Sequence, residues 1–312
     1  MLGTLVGDSL GMPAEGMSRE ELKATFGWLD SLREGPLPAG EYTDDTEMAI
    51  NLCESLLEVG SYDQKSVAER LAGQFTPWRG YSPHVYGIMA RIRQGLAWEL
   101  PGNSSFGADA ASRVAALGVL YADDKIVAEH GASQAAITHT HPNGIAGSVA
   151  QAVAVSEATS LGLFESTVPK EELLKKILIP VSDVSVALCD ALERMADIKP
   201  SLGREALASA IARVYSCDGG AVTTVPAALA AFLLTEDFES AVLTAVNCGG
   251  KTDVLGALAG ALAGAFYGAS AIPSRLTSEL TNERRGKDHV IALGEKLGAL
   301  TRERSGARLE PE

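Results

Sequence analysis

The fold is decided by the stretch Val254-Leu-Gly-Ala-Leu-Ala-Gly-Ala-Leu-Ala-Gly-Ala-Phe-Tyr-Gly-Ala-Ser-Ala-Ile272. This stretch contains no charged residue and approaches the length of a membrane-spanning helix. Because it consists largely of Ala and Gly, its transfer into lipid would gain little free energy. Small side chains instead suit a helix that packs closely against its neighbours. The stretch therefore predicts a buried core helix.

Outside this stretch the dominant pattern is also helical, with apolar residues at three- and four-residue spacing. The breaks are short and carry Gly, Pro, Ser or Asn, as at Pro36–Gly40 and Cys217–Gly220. Alternation with a period of two is almost absent, and short connections imply antiparallel neighbours. The sequence thus predicts an all-α fold, a single compact orthogonal multi-helix domain. The predicted helices are Asp45–Val59, Gln64–Phe75, Val85–Trp98, Ala108–Tyr121, Lys125–Thr138, Gly144–Ser160, Lys170–Ala196, Arg204–Tyr215, Val225–Leu234, Phe238–Cys248 and Asp253–Tyr267.

We expect one domain over residues 1–312. No Pro/Ser-rich linker, shift of composition or internal repeat divides the chain, and 312 residues are enough for a deep core. The charged stretch from about residue 300, which includes Arg302, Glu303 and Arg304, is expected to fray.

The composition narrows the classes of function. The formal net charge of −14 and the pI near 4.9 argue against broad binding to nucleic acid or an anionic membrane, since either needs clustered Lys and Arg. A phosphorylated ligand can still bind through metal ions, backbone N–H groups or helix N-termini. Four scattered cysteines favour free thiols in a reducing cytosol, and no signal peptide is recognisable. We therefore expect a cytoplasmic monomer that binds a small molecule.

Four motifs carry candidate chemistry. The first, Gly7-Asp-Ser-Leu-Gly-Met-Pro-Ala-Glu15, places the carboxylates Asp8 and Glu15 on either side of Gly and Pro. Taken alone, this motif is most simply a helix C-terminus with surface acids.

The second motif is Tyr42-Thr-Asp-Asp-Thr-Glu-Met48. Thr43 can cap the helix that follows, and acids are favoured in a first turn by the helix dipole. Asp44 and Asp45 beside a Thr hydroxyl are equally a cluster of hard oxygen donors, which a small cation such as magnesium prefers.

The third and fourth motifs are loops. In Cys248–Val254 the Gly249-Gly250 pair allows close approach of the backbone to a ligand, and Asp253 opens the small-residue helix. Alone, this motif could be an ordinary turn and cap. In Thr138–Gly144 the histidines 139 and 141 are spaced so that no helical turn aligns them, which favours a hydrogen-bonding or loop-structuring role over a zinc site.

Together and in this order, the four motifs resemble those of the ADP-ribosylglycohydrolase family. The family's Gly-Asp-x-x-Gly-x-Pro-x-Glu is matched by Gly7–Glu15, its Thr-Asp-Asp-Thr by Thr43–Thr46, and the Thr-His of its central loop by Thr138-His139. Its late Gly-Gly-Asp-Thr-Asp-Thr motif falls at Gly249–Val254. The resemblance runs from about Leu2 to Gly268.

The resemblance implies an all-α glycosidase that holds two magnesium ions and removes ADP-ribose from modified side chains or related acceptors. It implies Thr43, Asp44, Asp45 and Asp253 as metal ligands, with Glu15 handling protons or water near the anomeric carbon. A nearby carboxylate stabilises an oxocarbenium-like state, which makes chemical sense of Glu15. Asp45 and Lys251 join Glu15 in the candidate catalytic set. The candidate substrate contacts are Asp8, Gly107, Asp109, His139, Asn143, Gly249 and Gly250, with Asp8 otherwise orienting the first motif or contacting a metal-bound water.

The late motif departs from the family pattern at Lys251, where the family has Asp, and at Val254, where the family has Thr. By resemblance both lost groups belong to one of the two metals. With one Mg²⁺, the charges of the three Asp residues, Lys251 and the ion sum to zero. A second Mg²⁺ would lie close to the Lys251 ammonium, and at ~4 Å the two would repel each other by roughly 8 kcal/mol at an effective dielectric of about 20. We therefore expect one magnesium ion, with Lys251 in place of the second. The alternative is that Lys251 turns to solvent at a decayed site.

A second departure lies at Phe106–Arg113, where family members read close to Gly-Asn-Gly-Ala-Ala-Met-Arg. Asp109 adds a negative charge along the ligand, which disfavours a diphosphate and suits sugar hydroxyls or a cationic group. The leading prediction is a magnesium-dependent hydrolase that releases ADP-ribose from a modified acceptor, including a protein. One alternative is a smaller nucleoside-like or ribosyl-conjugate substrate. Another is a catalytically inactive, ligand-binding member of the family.

Overall fold

The computed structural model describes residues 1–99, 104–199, 203–304 and 306. Within these residues the regular structure is helical apart from one β-bridge between Gly107 and Gly220, which confirms the predicted all-α class. The main hydrophobic core is continuous from Leu5 to Leu297, as expected of a single compact domain. The α-helices in chain order are α1 Leu2–Gly11, α2 Arg19–Phe26, α3 Asp44–Val59, α4 Gln64–Gln74, α5 Pro83–Arg93, α6 Asp109–Ser112, α7 Ala115–Leu120, α8 Asp124–Ala136, α9 Pro142–Leu161, α10 Lys170–Ser182, α11 Val186–Glu193, α12 Arg204–Val214, α13 Ala221–Leu233, α14 Phe238–Val246, α15 Thr252–Tyr267, α16 Ser274–Thr277 and α17 Lys287–Arg304. Short 3₁₀ helices cover Met12–Ala14, Pro77–Arg79, Arg194–Asp197 and Ala269–Ala271.

The central contact of the fold is the antiparallel pair of α1 and α15. Glycines meet along it at four-residue spacing. A Cβ added at Gly7 would lie 1.8 Å from the carbonyl oxygen of Gly256, and a Cβ at Gly256 would lie 2.0 Å from that of Gly7. Such close backbone approach requires glycine. Because α15 also packs against α9, α13 and α14 and is buried from Thr252 to Ala263, the prediction of a buried core helix is confirmed.

This pairing brings distant parts of the chain to one end of the core. The C-terminal end of α1 meets the N-terminal end of α15, where the Thr252 hydroxyl donates to the Gly11 carbonyl at 2.6 Å, across 241 positions of sequence. The first turn of α3 lies at the same end, since Asp8 of α1 accepts hydrogen bonds from it. The first three motifs of the sequence therefore share one region of the molecule.

The predicted helix Ala108–Tyr121 is divided into α6 and α7. Arg113, which follows α6, is fully buried, and its guanidinium donates to the side chains of Gln134 at 2.5 Å and Thr138 at 2.9 Å. These bonds hold Arg113 and Val114 at φ and ψ near −92° and −8°, and −82° and −3°, which interrupt a regular helix.

The predicted helix Lys170–Ala196 is likewise divided, into α10 and α11. Ser185 is extended, with φ −150°, and its hydroxyl accepts from the Leu188 N–H at 3.2 Å. Because the Ser185 hydroxyl accepts from one of the N–H groups that lack a partner at a helix start, Ser185 is the N-cap of α11. The apolar pattern of the sequence predicts one long helix through this residue.

Other boundaries also differ from the prediction. Helix α2 was missed, although Ser18 and Glu21 form a capping box at its start. Helix α13 begins at Ala221 rather than Val225 and contains Pro226 in its second turn, where proline lacks the N–H group that would bond to the Val222 carbonyl. Helix α5 ends at Arg93 instead of reaching Trp98.

The charged C-terminal stretch continues α17 to Arg304 where we expected fraying from about residue 300. Thr301 donates to the Leu297 carbonyl at 2.9 Å. The Arg304 guanidinium donates to the Gly60 carbonyl at 2.8 Å and lies 5.0 Å from the centre of the Tyr121 ring. Residues 305 and 307–312 of the predicted tail lie outside the described residues. No helix in the described part of the chain is both long and apolar enough to cross a membrane.

Candidate active site

Asp8 holds the first turn of α3 in place. Its buried carboxylate accepts hydrogen bonds from the backbone N–H groups of Thr43 and Thr46, at 3.1 and 3.0 Å, and from their hydroxyls, at 2.8 and 2.5 Å. Burial raises the pKa of Asp8 to about 6, while the bonds from Thr46 and Thr43 lower it. Since both oxygens are engaged inside the protein, the geometry of Asp8 is that of a group that orients the Thr-Asp-Asp-Thr motif.

The first turn of α3 presents two buried carboxylates. Thr43 caps the helix by accepting from the Asp45 N–H at 3.3 Å. Asp45 Oδ1 accepts from the Ser112 hydroxyl of α6 at 2.5 Å, whereas Asp45 Oδ2 is buried with no hydrogen-bond partner among the described residues. Burial raises the pKa of Asp44 and of Asp45 well above the usual range. Among the neighbouring charges, Asp109 adds most to the shift of Asp44, and Asp44 adds most to that of Asp45.

Asp253 completes the cluster from the first turn of α15. Its side chain is buried, and within the described part of the chain its Oδ1 has no hydrogen-bond partner. Burial raises the pKa of Asp253 to about 7, Lys251 lowers it, and the charges of Glu15 and Asp8 raise it. The charge of Asp253 also raises the pKa values of the two carboxylates of α3. Three carboxylates from opposite ends of the sequence thus share one buried region.

The chemistry of this donor set fits a hard divalent cation. Buried carboxylates that repel one another destabilise the protein unless a cation or hydrogen-bond donors compensate them. Carboxylate and hydroxyl oxygens are what Mg²⁺ prefers. The free oxygens of Asp45 and Asp253, with Asp44 and the Thr43 hydroxyl beside them, could hold such an ion.

Lys251 and Glu15 form the edge of the cluster. The Lys251 ammonium pairs with the Glu15 carboxylate and lies 3.6 Å from Asp253 Oδ2. The two side chains are 28% and 27% exposed, so the pair borders solvent. Burial lowers the pKa of Lys251, but the charges of Asp253 and Glu15 outweigh it, so the net shift is upward and the side chain is cationic. The structure therefore directs Lys251 towards the acids, and the other departure, Val254, is buried.

The Gly249-Gly250 turn sets the position of Lys251. Both glycines have positive φ, +82° and +77°, and a Cβ at Gly250 would lie 2.0 Å from the Cys217 carbonyl oxygen. The Gly250 N–H donates to the Met17 carbonyl at 2.7 Å, and its own carbonyl accepts from the Gly16 N–H at 2.8 Å. These backbone bonds tie the turn to the loop that carries Glu15, so the two glycines are held by protein contacts.

A second polar group, formed by His84, Asp109 and His139, lies near the cluster of Asp44, Asp45 and Asp253. Asp109 Oδ2 is 3.9 Å from Nε2 of His139 and 3.9 Å from Nε2 of His84, and it accepts from the Ser82 hydroxyl at 3.0 Å. Burial lowers the pKa of His139 to about 3 and also lowers the pKa of His84, so both rings are neutral at pH 7. Their ligand atoms lie within 4.8 Å of one another, so His84, Asp109 and His139 could hold a metal ion.

Gly107 lies next to the group of His84, Asp109 and His139, whereas the Asn143 side chain makes its hydrogen bond elsewhere. A Cβ at Gly107 would lie 3.5 Å from His139 Nε2 and 3.6 Å from Asp109 Oδ2. The Asn143 side-chain oxygen accepts from the Ser185 hydroxyl at 2.7 Å, which links α9 to α11. His141 caps α9, accepting from the Asn143 N–H at 3.1 Å, in keeping with a loop-structuring role.

Sequence reasoning missed His84 and Ser112. His84 follows Pro83 at the start of α5, and no motif distinguishes it from the other histidines. Ser112 stands in the Phe106–Arg113 segment, but its contact with Asp45 depends on how α6 packs against α3. The one signal available was the unusual acid at Asp109, three residues before Ser112 on the same helical turn.

A cavity of about 580 Å³ adjoins Lys251 on the side of the Glu15 loop. Gly16, Arg19, Arg213 and Asp218 are among the residues that line it, so its walls carry both signs of charge. Of the site residues, Gly250 and Lys251 line this cavity, whereas Glu15, Asp44, Asp45 and Asp253 do not.

Comparison with known proteins identifies the family of the chain. Residues 1–307 match the sequence model of the ADP-ribosylglycohydrolase family. An uncharacterized protein of Archaeoglobus fulgidus is 33% identical over 264 residues, covering 83% of each chain. ADP-ribosylhydrolase ARH3 of Gallus gallus is 28% identical over 305 residues, covering 83% of this chain and 82% of the relative. A solved structure described as an ADP-ribosylglycohydrolase-related protein complex superimposes with a TM-score of 0.76 at 28% identity, covering 96% of this chain and 95% of the other. The chain therefore belongs to the ADP-ribosylglycohydrolase family and is, as predicted, a glycosyl hydrolase.

Proposed function

We propose that this protein is a magnesium-dependent hydrolase of a ribosyl glycosidic bond that releases ADP-ribose from a modified acceptor, which can be a protein side chain. The observation that carries the proposal is the cluster of Asp44, Asp45 and Asp253, in which two buried carboxylate oxygens lack a hydrogen-bond partner within the described residues. The relatives named ADP-ribosylhydrolase support ADP-ribose as the group released.

Thr43, Asp44, Asp45 and Asp253 would hold one magnesium ion. When bound, such an ion supplies Lewis-acid chemistry and fixes the ribose hydroxyls. The ammonium of Lys251 stands 3.6 Å from Asp253, where a second cation would otherwise balance the acids, and Val254 offers no oxygen ligand. We therefore propose that Lys251 replaces the second ion of the family.

Glu15 is the proposed group at the anomeric carbon. Paired with Lys251 at the rim, it is a carboxylate that borders both solvent and the metal ligands. A carboxylate there stabilises positive charge on the sugar as the glycosidic bond lengthens, and it can take a proton from the attacking water. Ser112 holds Asp45 through its Oδ1 oxygen, and the Oδ2 oxygen of Asp45 remains without a partner among the described residues. Through this free oxygen Asp45 is proposed to order the ribose. The cavity beside Lys251 has room for the leaving group.

A smaller ribosyl substrate is the second candidate, and Asp109 favours it. Asp109 lies beside Gly107 and His139, and its carboxylate would repel a diphosphate while accepting hydrogen bonds from sugar hydroxyls. The Gly107 backbone is the proposed neutral contact to the ligand in this region, and His139 lines the same region. Asn143, Gly249 and Gly250 shape the loops around it. An inactive, ligand-binding protein is the third candidate. The presence of Glu15 and of Thr43–Thr46 argues against an inactive protein, because these are the groups that the reaction would need.

The test combines turnover and binding on the full chain. Glu15→Gln should lower the rate of ADP-ribose release from an ADP-ribosylated peptide by at least about a hundredfold, as expected for loss of a general base. The same variant should keep the Mg²⁺ affinity of the wild type, measured by isothermal titration. Glu69→Gln, on the exposed face of α4, is the matched control and should leave the rate unchanged.

Titration with ADP-ribose and with ribose, each with and without Mg²⁺, separates the candidates. Magnesium-dependent binding of ADP-ribose at one metal per chain supports the proposal. Binding of ribose without binding of ADP-ribose would favour the smaller substrate. Binding of ADP-ribose without turnover of any ribosylated compound would favour the inactive protein.

A further inference from the structure

Two buried ring nitrogens face one carboxylate oxygen next to the magnesium ligands. Nε2 of His139 and Nε2 of His84 are both buried, and neither has a hydrogen-bond partner among the described residues. A buried nitrogen left without a partner costs free energy, which makes each such atom a marker for a missing ligand. Both nitrogens lie 3.9 Å from the same oxygen of Asp109, so three potential ligand atoms surround one small space.

The other nitrogen of each ring is already fixed by a hydroxyl. His139 Nδ1 is 2.8 Å from the Thr138 hydroxyl, and His84 Nδ1 is 3.2 Å from the Ser82 hydroxyl. This is the usual arrangement of a metal-binding histidine, in which a hydrogen bond at one nitrogen orients the ring and leaves the other nitrogen free for the metal. Ser82 also donates to Asp109 Oδ2, so it orients two members of the group.

We infer that His84, Asp109 and His139 form a site for a transition-metal ion such as Zn²⁺, separate from the site of the hard oxygen ligands. Imidazole nitrogen selects zinc and its transition-metal neighbours over magnesium, and two His with one carboxylate leave a coordination position open. A tetrahedral ion with ligand bonds of about 2.0–2.1 Å spaces its ligand atoms about 3.4 Å apart. The group must therefore contract slightly, and the half-buried His84 on α5 is the member free to move inward.

The position of this site links it to the reaction. Asp109 and Ser112 belong to one turn of α6, and the Ser112 hydroxyl donates to Asp45 Oδ1 at 2.5 Å while its oxygen lies 3.0 Å from the Asp109 carbonyl oxygen. Gly107 borders the group, since a Cβ there would lie 3.5 Å from His139 Nε2 and 3.6 Å from Asp109 Oδ2. A cation at this point would neutralise Asp109 and offset its repulsion of a phosphorylated substrate.

Zinc titration tests the inference without measuring hydrolysis. The chelator-treated full chain, saturated with Mg²⁺ to occupy the hard site, is titrated with ZnCl₂ by calorimetry. We expect one zinc ion per chain, with the affinity at least tenfold weaker in His84→Gln and in Asp109→Ala. His289→Gln is the matched control at another half-exposed His–carboxylate pair and should bind zinc as the wild type does. Asp253→Asn should also keep zinc affinity.

Cobalt supplies an independent readout. Co²⁺ bound at this site should give the visible absorption of a low-coordinate nitrogen and oxygen site, and His84→Gln should abolish that absorption while thermal unfolding shows the variant to be folded. Absence of zinc binding, wild-type affinity in both His84→Gln and Asp109→Ala, or loss of zinc in Asp253→Asn alone would each overturn the inference. Failure of ADP-ribose hydrolysis would not affect it.

Discussion

Asp8 is a buried carboxylate whose hydrogen bonds all serve the neighbouring motif. Asn at this position would turn an NH₂ group towards the N–H and hydroxyl donors of Thr43 and Thr46, so part of the network would be lost. We expect Asp8→Asn to lower the free energy of unfolding by about 2 kcal/mol, measured by urea denaturation. Magnesium affinity should fall at least tenfold because the turn that carries the ligands loses its support.

Asp63→Asn is the control for this prediction. Asp63 caps α4 through its side chain on the surface, and Asn caps helices about as well as Asp. Its stability should therefore change little. Equal stability of Asp8→Asn and the wild type would show that the buried bonds of Asp8 are not what holds α3 in place.

Lys251 is the residue that decides how many metal ions the site holds. Replacing both departures, in Lys251→Asp with Val254→Thr, removes the ammonium beside Asp253 and supplies two oxygen ligands. We expect the double variant to bind two Mg²⁺ per chain where the wild type binds one, as measured by calorimetric stoichiometry. Lys65→Asp, on the exposed face of α4, should keep one. A wild-type protein that already binds two ions tightly would contradict the role given to Lys251.

The carboxylates of the site could be predicted from the sequence and several of their neighbours could not. Asp44 and Asp45 stand in a compact motif whose residue types indicate a metal, and the structure brings Asp253 to them. His84 reaches the same region from a segment without a motif, and Ser112 from the segment that departs from the family pattern. Helix packing, and not local sequence, determines which face of each segment is turned inward.

At the scale of elements, the α1–α15 pair depends on backbone contact. Gly256→Ala would place a Cβ 2.0 Å from the Gly7 carbonyl oxygen and force the two helices apart. We expect a loss of more than about 3 kcal/mol in the free energy of unfolding, measured by denaturant titration. Gly264→Ala, on the same helix, meets backbone no closer than 3.4 Å and should be tolerated. Similar losses in the two variants would mean that the close contact with Gly7 does not set the cost, because helix propensity favours Ala at both positions.

Gly73→Ala is expected to raise the free energy of unfolding instead of lowering it. Gly73 lies on the exposed face of α4, and an added Cβ would meet nothing within 4 Å. Because Ala restricts the unfolded chain and favours the helix, this variant should be more stable by about 0.5–1 kcal/mol.

Helix existence was predictable and helix ends were not. The uncharged stretch after Asp253 and the long apolar patterns identified most elements, since burial of one helical face dominates the pattern. The divisions at Arg113 and Ser185 depend on one buried guanidinium and one cap, which apolar periodicity does not register. The end of α17 depends on contacts of Arg304 with distant residues, so charge alone was a poor guide to order.

At the scale of the whole molecule, the site joins the two ends of the sequence. Asp8 from α1, the acids of α3 and Asp253 from α15 meet only when the central helix pair has formed. The acids are unfavourable neighbours in the absence of a cation, so the proposed magnesium ion should stabilise the folded chain by binding linkage. At a hundred times its dissociation constant, the ion would add about 2.7 kcal/mol.

This linkage predicts which amides respond to magnesium. Hydrogen exchange at saturating Mg²⁺ should slow together in the segments 43–48 and 252–257, because one ion bridges the first turns of α3 and α15. Helix α4 should respond less than either segment, since it carries none of the proposed ligands. In Asp253→Asn the ion loses its bridge, so protection of both segments should fall to the level of the magnesium-free protein. Protection confined to 43–48, and retained in Asp253→Asn, would mean that the ion belongs to α3 alone and that the two ends of the chain are joined by packing without the metal.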